Sequence, residues 1–343
     1  MEKPVEIRRP RSDDRRLWDV FFALEGSIAI IAAHKLKIFS LLAEQPRTLS
    51  EACAALGLAR RPMEAMLSIC AAAGFIELGD SHYRLTPLAE DYLVETSPTY
   101  FGSHWQNIIA GFESLHTISS VVRAAQADAP LWYGEAEWTK SHADDAGLAR
   151  AFTRAMHSTS MAPALSWPEK IDLSANRRML DIGGGSGAHC IGAVQRWPKL
   201  TATVFDLASV CEVAHEIVVE HALADRIGIH VGDLWSGRFP DADLHFYSMI
   251  YHDWPREKCR FLSEKSFASL PSGGRIIVHE MLFNDDRTGP YPVAAFNITM
   301  LLSCTGEQYS GRELSDMLLE AGFKDIEVKP TFGYWSIVTG VKP

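Results

Sequence analysis

From Arg178 onward, short β-branched or apolar runs alternate with helical stretches of ten to sixteen residues. That alternation is the signature of βαβ units and commits this part of the chain to an α/β fold built on a parallel sheet. The strand-like runs are RRMLDIG, TATVFDL, RIGIHVG, ADLHFYSMI, GRIIVHE, DIEVKP and GYWSIVTG, which places the start of this domain near residue 175. Where the first run turns into a helix stands Asp181-Ile182-Gly183-Gly184-Gly185-Ser186-Gly187-Ala188. Glycines at such a turn let the backbone come within contact distance of a ligand, so something flat and nucleoside-like is expected there. Gly183-x-Gly185-x-x-Ala188 also satisfies the dinucleotide pattern, and other residues must decide between the two.

The preceding residues have a different period. Leu17 to Glu44 repeats apolar residues at three and four, and Leu17 to Ala33 reads as one long helix, apolar on two sides, carrying Trp18, Phe21, Phe22, Leu24, Ile28, Ile30 and Ile31. Thr48 to Gly57 and Arg60 to Gly74 each begin and end on helix-terminal signals, and FIEL and HYRLT flank Gly79-Asp80-Ser81. Together they outline a winged helix. A DNA-reading helix needs Arg, Lys, Asn or Gln on its exposed face. Beyond Arg60 and Arg61 this one offers Met63, Ala65, Met66, Leu67 and Ile69, which suits a core or an interface between subunits. Residues 100–172 read as helical, with Trp105, Trp132, Trp138 and Trp167 supplying bulk. The expected division is therefore 1–100, a winged-helix dimerisation domain; 101–174, a helical linker; and 175–343, the catalytic domain.

Charge and composition narrow the partners. The 343 residues carry a net charge of −10, the wrong sign for binding phosphate backbones or anionic lipid. No apolar stretch near the start approaches the ~20 residues that span a bilayer, and the charged opening MEKPVEIRRPRSDDRR lacks a secretory pattern, so a cytoplasmic address is expected. Cys53, Cys70, Cys190, Cys211, Cys259 and Cys304 show no metal-binding spacing and read as buried thiols.

Three features decide the ligand. Asp206 ends the second run, where a carboxylate accepts ribose hydroxyl protons. Asp233 and Leu234 end the third, a carboxylate for an exocyclic amine beside an apolar face for a ring, which favours adenosyl over pyrophosphate. The fourth runs into Tyr251-His252-Asp253-Trp254, a base-competent imidazole at the carboxyl edge of the sheet.

With these motifs the chain resembles the class I S-adenosylmethionine-dependent methyltransferases of the plant caffeic acid and acetylserotonin O-methyltransferase type. The likeness runs through FTRAM (Phe152 to Met156), DIGGGSG, FDL, GDL, HDWPREKC, GGRIIVHE and GEQYSGRELSDMLLEAGF. It implies a Rossmann-like doubly wound sheet behind an N-terminal, mainly helical dimerisation domain. It also implies S-adenosylmethionine held by Asp181, Gly183, Gly185, Asp206, Leu207, Asp233, Leu234 and Ser248. His252 would be the general base, with Asp253 and Glu280 as supporting carboxylates, and the partners a small-molecule acceptor and a second copy of the chain. Phe152, Met156, Met300 and Gln308 fall where the family contacts its acceptor.

The chain departs from the plant pattern in two places. Gln308 stands where a Glu is usual, with Glu307 one residue earlier, and Ser248 stands where a Lys is usual. The leading expectation is O-methylation of a phenolic hydroxyl without a metal. The alternative is C-methylation of an α-keto acid enol, in which Arg154 or Arg312 pairs with the acceptor carboxylate and His279 or Glu280 joins His252 around a metal.

Overall fold

The computed structural model describes residues 10–97, 100, 117–130 and 146–343. Trp105, Trp132 and Trp138, and much of the expected helical linker, lie outside these residues. The described parts of Arg16–Gly134 and the segment Phe283–Ser310 form one compact unit; Glu135–Leu282 and Gly311–Pro343 supply the described body of the other.

The first unit opens with α1 (Arg15–Phe21, its first residue counted with the other unit), α2 (Ala23–Lys35), α3 (Ile38–Glu44), α4 (Leu49–Leu56) and α5 (Arg60–Ala72). The single helix expected from Leu17 to Ala33 is in fact two, meeting at 44°. At the break Phe22 leaves helical geometry (φ −90°, ψ 0°), and its buried ring stacks on Trp18 and meets Phe296. Thr48 and Glu51 form a reciprocal capping box on α4, and Gly57 ends that helix at φ +64°. Met63, Ala65, Met66, Leu67 and Ile69 of α5 are buried. Arg61 donates to the carbonyls of Cys304 and Gly306 and pairs with Asp128, so one of the two cations that a nucleic acid would need is engaged internally. Strands β1 (Ile76–Gly79) and β2 (His82–Leu85) form a hairpin around Asp80 and Ser81, both at positive φ. Helices α6 (Pro87–Leu93) and α7 (Thr117–Ala127) follow.

The second unit contains α8 (Ala146–Ala164), β3 (Arg178–Ile182), α9 (Ala188–Arg196), β4 (Thr201–Asp206), α10 (Ala208–Glu220), β5 (Ile227–Val231), β6 (Leu244–Ser248), α11 (Arg256–Ser269) and β7 (Arg275–Met281). After the return of Phe283–Ser310 to the first unit, where α12 (Tyr291–Ser303) packs on α2 and α5, come α13 (Gly311–Glu320), β8 (Lys324–Phe332) and β9 (Trp335–Val341). A reading along the chain puts α12 with the catalytic residues around it; its apolar surface, Val293, Ala294, Ile298 and Leu301 among it, buries it with the N-terminal helices instead.

The sheet order is β5-β4-β3-β6-β7-β9-β8. The first five strands are parallel, as expected, but β9 runs antiparallel to both β7 and β8. Only Gly333 and Tyr334 separate β8 from β9, too short a link for a parallel crossover. The sheet is therefore mixed. Its strand order reverses between β3 and β6, the switch point at which open α/β sheets hold ligands beyond the carboxyl ends of their strands. Trp167 fills the core below, fully buried and stacked on Phe246 at 4.4 Å.

Helix α9 reaches α8 through Gly192, where an added Cβ would lie 2.0 Å from the Ala164 carbonyl oxygen. Gly→Ala inside a helix normally gains roughly 1 kcal/mol. Here the obstacle is backbone, and overpacking of about 1–3 kcal/mol should outweigh that gain. Gly192→Ala is expected to lower the urea midpoint for unfolding; a midpoint at or above wild type would show that the two helices can separate without cost.

Candidate active site

The loop after β3 is tied to β4. Gly183 donates its N–H to the Phe205 carbonyl (2.8 Å), Gly185 to Asp206 Oδ2 (2.9 Å) and Gly187 to the Gly184 carbonyl (2.9 Å). Gly183, Gly185 and Gly187 all sit at positive φ, a conformation that L side chains rarely adopt. At Gly183 a Cβ would also strike Ile250, 2.3 Å away, whereas at Gly185 nothing lies within 4 Å. The loop is thus packed on one side and open at its tip. Asp206 holds the loop through Oδ2 alone, while its Oδ1 accepts from the N–H of the next residue, Leu207, at 2.7 Å.

Beneath the loop Asp181 is buried. Its Oδ2 receives the Cys190 thiol at 3.4 Å, while Oδ1 has no hydrogen-bond partner. Desolvation, reinforced by the charge of Asp206 and opposed by the Cys190 bond, pushes its carboxyl up to about 7. Beyond β5, Asp233 is exposed and turns back to accept from Trp235 N, and Leu234 is half-buried. Lys265 pins that segment by donating to the carbonyls of Leu234 and Ser236.

After Ser248 the chain turns through Met249, at φ +58°, into a single 3₁₀ turn, Tyr251–Asp253. This turn lays His252 over β7, where Glu280 is buried. Glu280 Oε1 accepts from the backbone N–H of Ile250 and of Tyr251 (3.1 Å each), and Oε2 accepts from His252 Nδ1 at 2.9 Å. Asp253 Oδ1 lies 3.5 Å from Nε2, so Glu280 and not Asp253 orients the ring. Burial by itself would lower the pKa of His252; Glu280 and Asp253 overcome it and hold the imidazole at about 9. Desolvation pushes the Asp253 carboxyl upward.

The remaining positions divide between the units. Phe152 and Met156 share the exposed face of α8 and are not core residues. Met300 is buried on α12, one turn beyond Asn297, whose Oδ1 accepts from Gln308 N at 2.7 Å. The amide group of Gln308 is fully buried, with neither its oxygen nor its nitrogen bonded; Glu307 beside it pairs with Arg287 at 2.7 Å. Ser248 Oγ meets His279 Nδ1 at 3.0 Å. His279 does not join His252: it occupies the opposite face of β7 from Glu280, stacked on Trp335, with Nε2 3.3 Å from Thr331. Among the described residues no three His, Cys, Asp or Glu side chains are grouped to hold a metal. Arg154 pairs with Glu216 and Glu220. Lys265 and His157, which bonds Ser186 in the glycine loop, escaped the sequence reading because no local motif marks them.

Residues 116–324 match the family model for the O-methyltransferase domain, and residues 18–95 that for the O-methyltransferase dimerisation domain. A 3-hydroxy-5-methyl-1-naphthoate 3-O-methyltransferase of Streptomyces sahachiroi is 31% identical over 332 residues, 95% of this chain and 94% of the relative. The crystal structure of an O-methyltransferase family 2 protein from Planctomyces limnophilus, in complex with apigenin, superposes with a TM-score of 0.85 at 26% identity, covering 99% of this chain and 100% of that one. Human N-acetylserotonin methyltransferase in complex with SAM gives a TM-score of 0.60 at 26% identity over 96% and 97% of the two chains. By domain content, identity and fold, the chain belongs to the O-methyltransferase family and is an S-adenosylmethionine-dependent methyltransferase.

Proposed function

We propose that this enzyme methylates an aromatic hydroxyl of a small secondary metabolite, with His252 as the general base. The observation that carries the reading is the buried Glu280–His252 pair at the carboxyl edge of the sheet, reached from β6 through Ile250, which packs on Gly183. The names of the relatives agree: 3-hydroxy-5-methyl-1-naphthoate carries its acceptor hydroxyl on an aromatic ring.

The residues around the glycine loop fit the cofactor. The space above Gly185 is one that a side chain would fill, and the orphaned Asp181 Oδ1 calls for a donor. Asp181, Gly183, Gly185, Asp206 and Leu207 would hold the nucleoside side of S-adenosylmethionine, Asp233 and Leu234 its base, and Ser248 would give it a hydrogen bond. When bound, the cofactor supplies an electrophilic methyl group on a sulfonium. The protein's part is to line up the acceptor oxygen and take its proton. Glu280 fixes Nδ1–H, which leaves Nε2 to receive the proton and stabilises the imidazolium that results, with Asp253 beside it. Phe152 and Met156, on the exposed face of α8, would contact the acceptor.

Leu17, Val20, Phe21 and Leu24 are exposed apolar residues along α1 and the start of α2, within or beside the dimerisation-domain match. We assign them to a homodimer interface and read the helix pair and hairpin of residues 1–100 as a winged helix that serves pairing; of the expected linker 101–174, α8 belongs to the unit that carries the sheet, and of the expected catalytic residues 175–343, Phe283–Ser310 belongs to the N-terminal unit. The reduced cytoplasm suits six cysteines that form no disulfide.

His252→Ala is expected to lower kcat/KM about 10²–10⁴-fold with 3-hydroxy-1-naphthoate or apigenin as acceptor, at near wild-type calorimetric affinity for S-adenosylhomocysteine. Retention of more than about a tenth of the rate would show that positioning alone suffices. The base must be neutral, so with a pKa near 9 the wild-type rate should climb with pH through neutrality and level off above about 9. Glu280→Gln removes a carboxylate that holds the proton and should move the rising limb, and the His252 imidazole resonance in NMR titration, to lower pH. An unmoved limb and resonance would remove Glu280 from this role.

Asp206→Ala should weaken S-adenosylhomocysteine binding by roughly 1–3 kcal/mol, since it deprives both the loop and the ligand of an acceptor. Calorimetry showing equal affinity would sink the ribose assignment. Sedimentation of the wild type is expected to give a dimer and that of Phe21→Asp a monomer; a wild-type monomer at micromolar concentration would make this apolar face an ordinary surface.

A further inference from the structure

We propose that His157 is a positioning residue that fastens the acceptor-side helix α8 to the cofactor loop through Ser186. The inference rests on the reading that the glycine loop holds the cofactor.

Most of the loop's anchors are its own backbone or β4: Gly183 and Gly185 are bonded to Phe205 and Asp206, and Gly187 to Gly184. The side chain at the loop's far end behaves differently. Ser186, between Gly185 and Gly187, is buried, and its Oγ lies 2.9 Å from His157 Nδ1 on α8. His157 is half-buried, with its ring 6.0 Å from that of His221 at the end of α10. Burial first, then the facing His221 and Arg154, hold its pKa below the ordinary value against the opposing charge of Glu220, so the ring is neutral at physiological pH. A neutral imidazole and a hydroxyl can share this bond in either direction.

The C-terminal end of α8 is held by the close approach of Gly192 to the Ala164 carbonyl, but around residues 149–157 what else holds the helix is weaker or less directional. Arg150 and Arg154 pair with Glu216 and Glu220 of α10, but these side chains are 40–51% exposed, and ion pairs in water contribute little. Ala149 and Thr153 are buried on the same helix, with Thr153 Oγ1 donating to the Ala149 carbonyl inside it, and packing of such small side chains fixes an axis better than a rotation. The His157–Ser186 bond supplies the direction. Phe152 and Met156 lie four apart on the helix, each next in sequence to a member of the inward pair Thr153 and His157. A rotation of α8 that broke the bond would therefore swing both residues. Loop geometry and the position of the Phe152–Met156 face are set together, and cofactor that orders the loop also orders the acceptor side.

The test is hydrogen exchange by mass spectrometry on the full chain, with S-adenosylhomocysteine as probe. In the wild type, saturating probe should slow exchange both in the loop, 183–190, and in the helix segment 150–161. In Ser186→Ala and His157→Phe the loop should still be protected, while the probe-dependent slowing of 150–161 falls at least about 5-fold, the loss expected from one hydrogen bond. His157→Asn should restore it, because its amide nitrogen lies where Nδ1 does, a rescue that a merely structural role would not require. Equal helix protection in all variants, or a wild-type helix that does not respond while the loop does, overturns the proposal. A wild-type loop that does not respond overturns the cofactor reading beneath it.

Discussion

The Glu280 carboxylate is the contact on which the carboxyl edge of the sheet around His252 depends. It is buried on β7 and accepts three N–H groups, two from the backbone of Ile250 and Tyr251 and one from His252. A buried carboxylate without such partners would be costly, and a 3₁₀ turn leaves backbone N–H groups unsatisfied at its start. Each defect cures the other. The turn after β6 is thereby locked to the neighbouring strand, Met249 is held at positive φ, and His252 has its ring fixed at Nδ1. Remove the carboxylate and the turn, the ring orientation and the ring's charge all lose their support together.

The same contact sets the protonation of the site. Two carboxylates hold the imidazole at about 9, higher than an isolated histidine, so the ring rests protonated at neutral pH. In the proposed role this arrangement stabilises the state reached after proton transfer, at the expense of the fraction of enzyme ready to begin. Buried phenols elsewhere in the unit, Tyr247 and Tyr251, are pushed upward by desolvation and stay neutral, which leaves His252 and its carboxylates as the charged centre of this edge.

The glycine loop obeys a second constraint. Asp206 spends acceptor sites on Gly185 and Leu207, so the carboxylate proposed for the ribose is also the brace of the loop that approaches it. Packing on one side, from Ile250 against Gly183, joins the loop to the turn that carries His252. The glycine loop and the turn that carries His252 are adjacent because β3 and β6 are adjacent, and those strands flank the switch point of the sheet.

How far the sequence alone determined this protein follows from the range of each interaction. The seven strand segments, the turn at Asp80-Ser81, the capping of α4 and the glycine loop were all legible, because period, turn chemistry and left-handed glycines are properties of neighbouring residues. So was the place of His252, just beyond the end of a strand at the edge where such sheets hold ligands. Tertiary structure decided what depends on residues distant in the chain. Phe22 breaks a helix because Phe296, far along the chain, offers its ring a place. Helix α12 sits with α2 and α5 because its buried face is complementary to theirs, not to the strands beside it in sequence. Glu280, not the adjacent Asp253, orients His252 because strand pairing brings β7 beneath the turn. His157 meets Ser186 for the same reason: a hydrogen bond requires two groups within about 3 Å, and only the folded chain determines which groups those are.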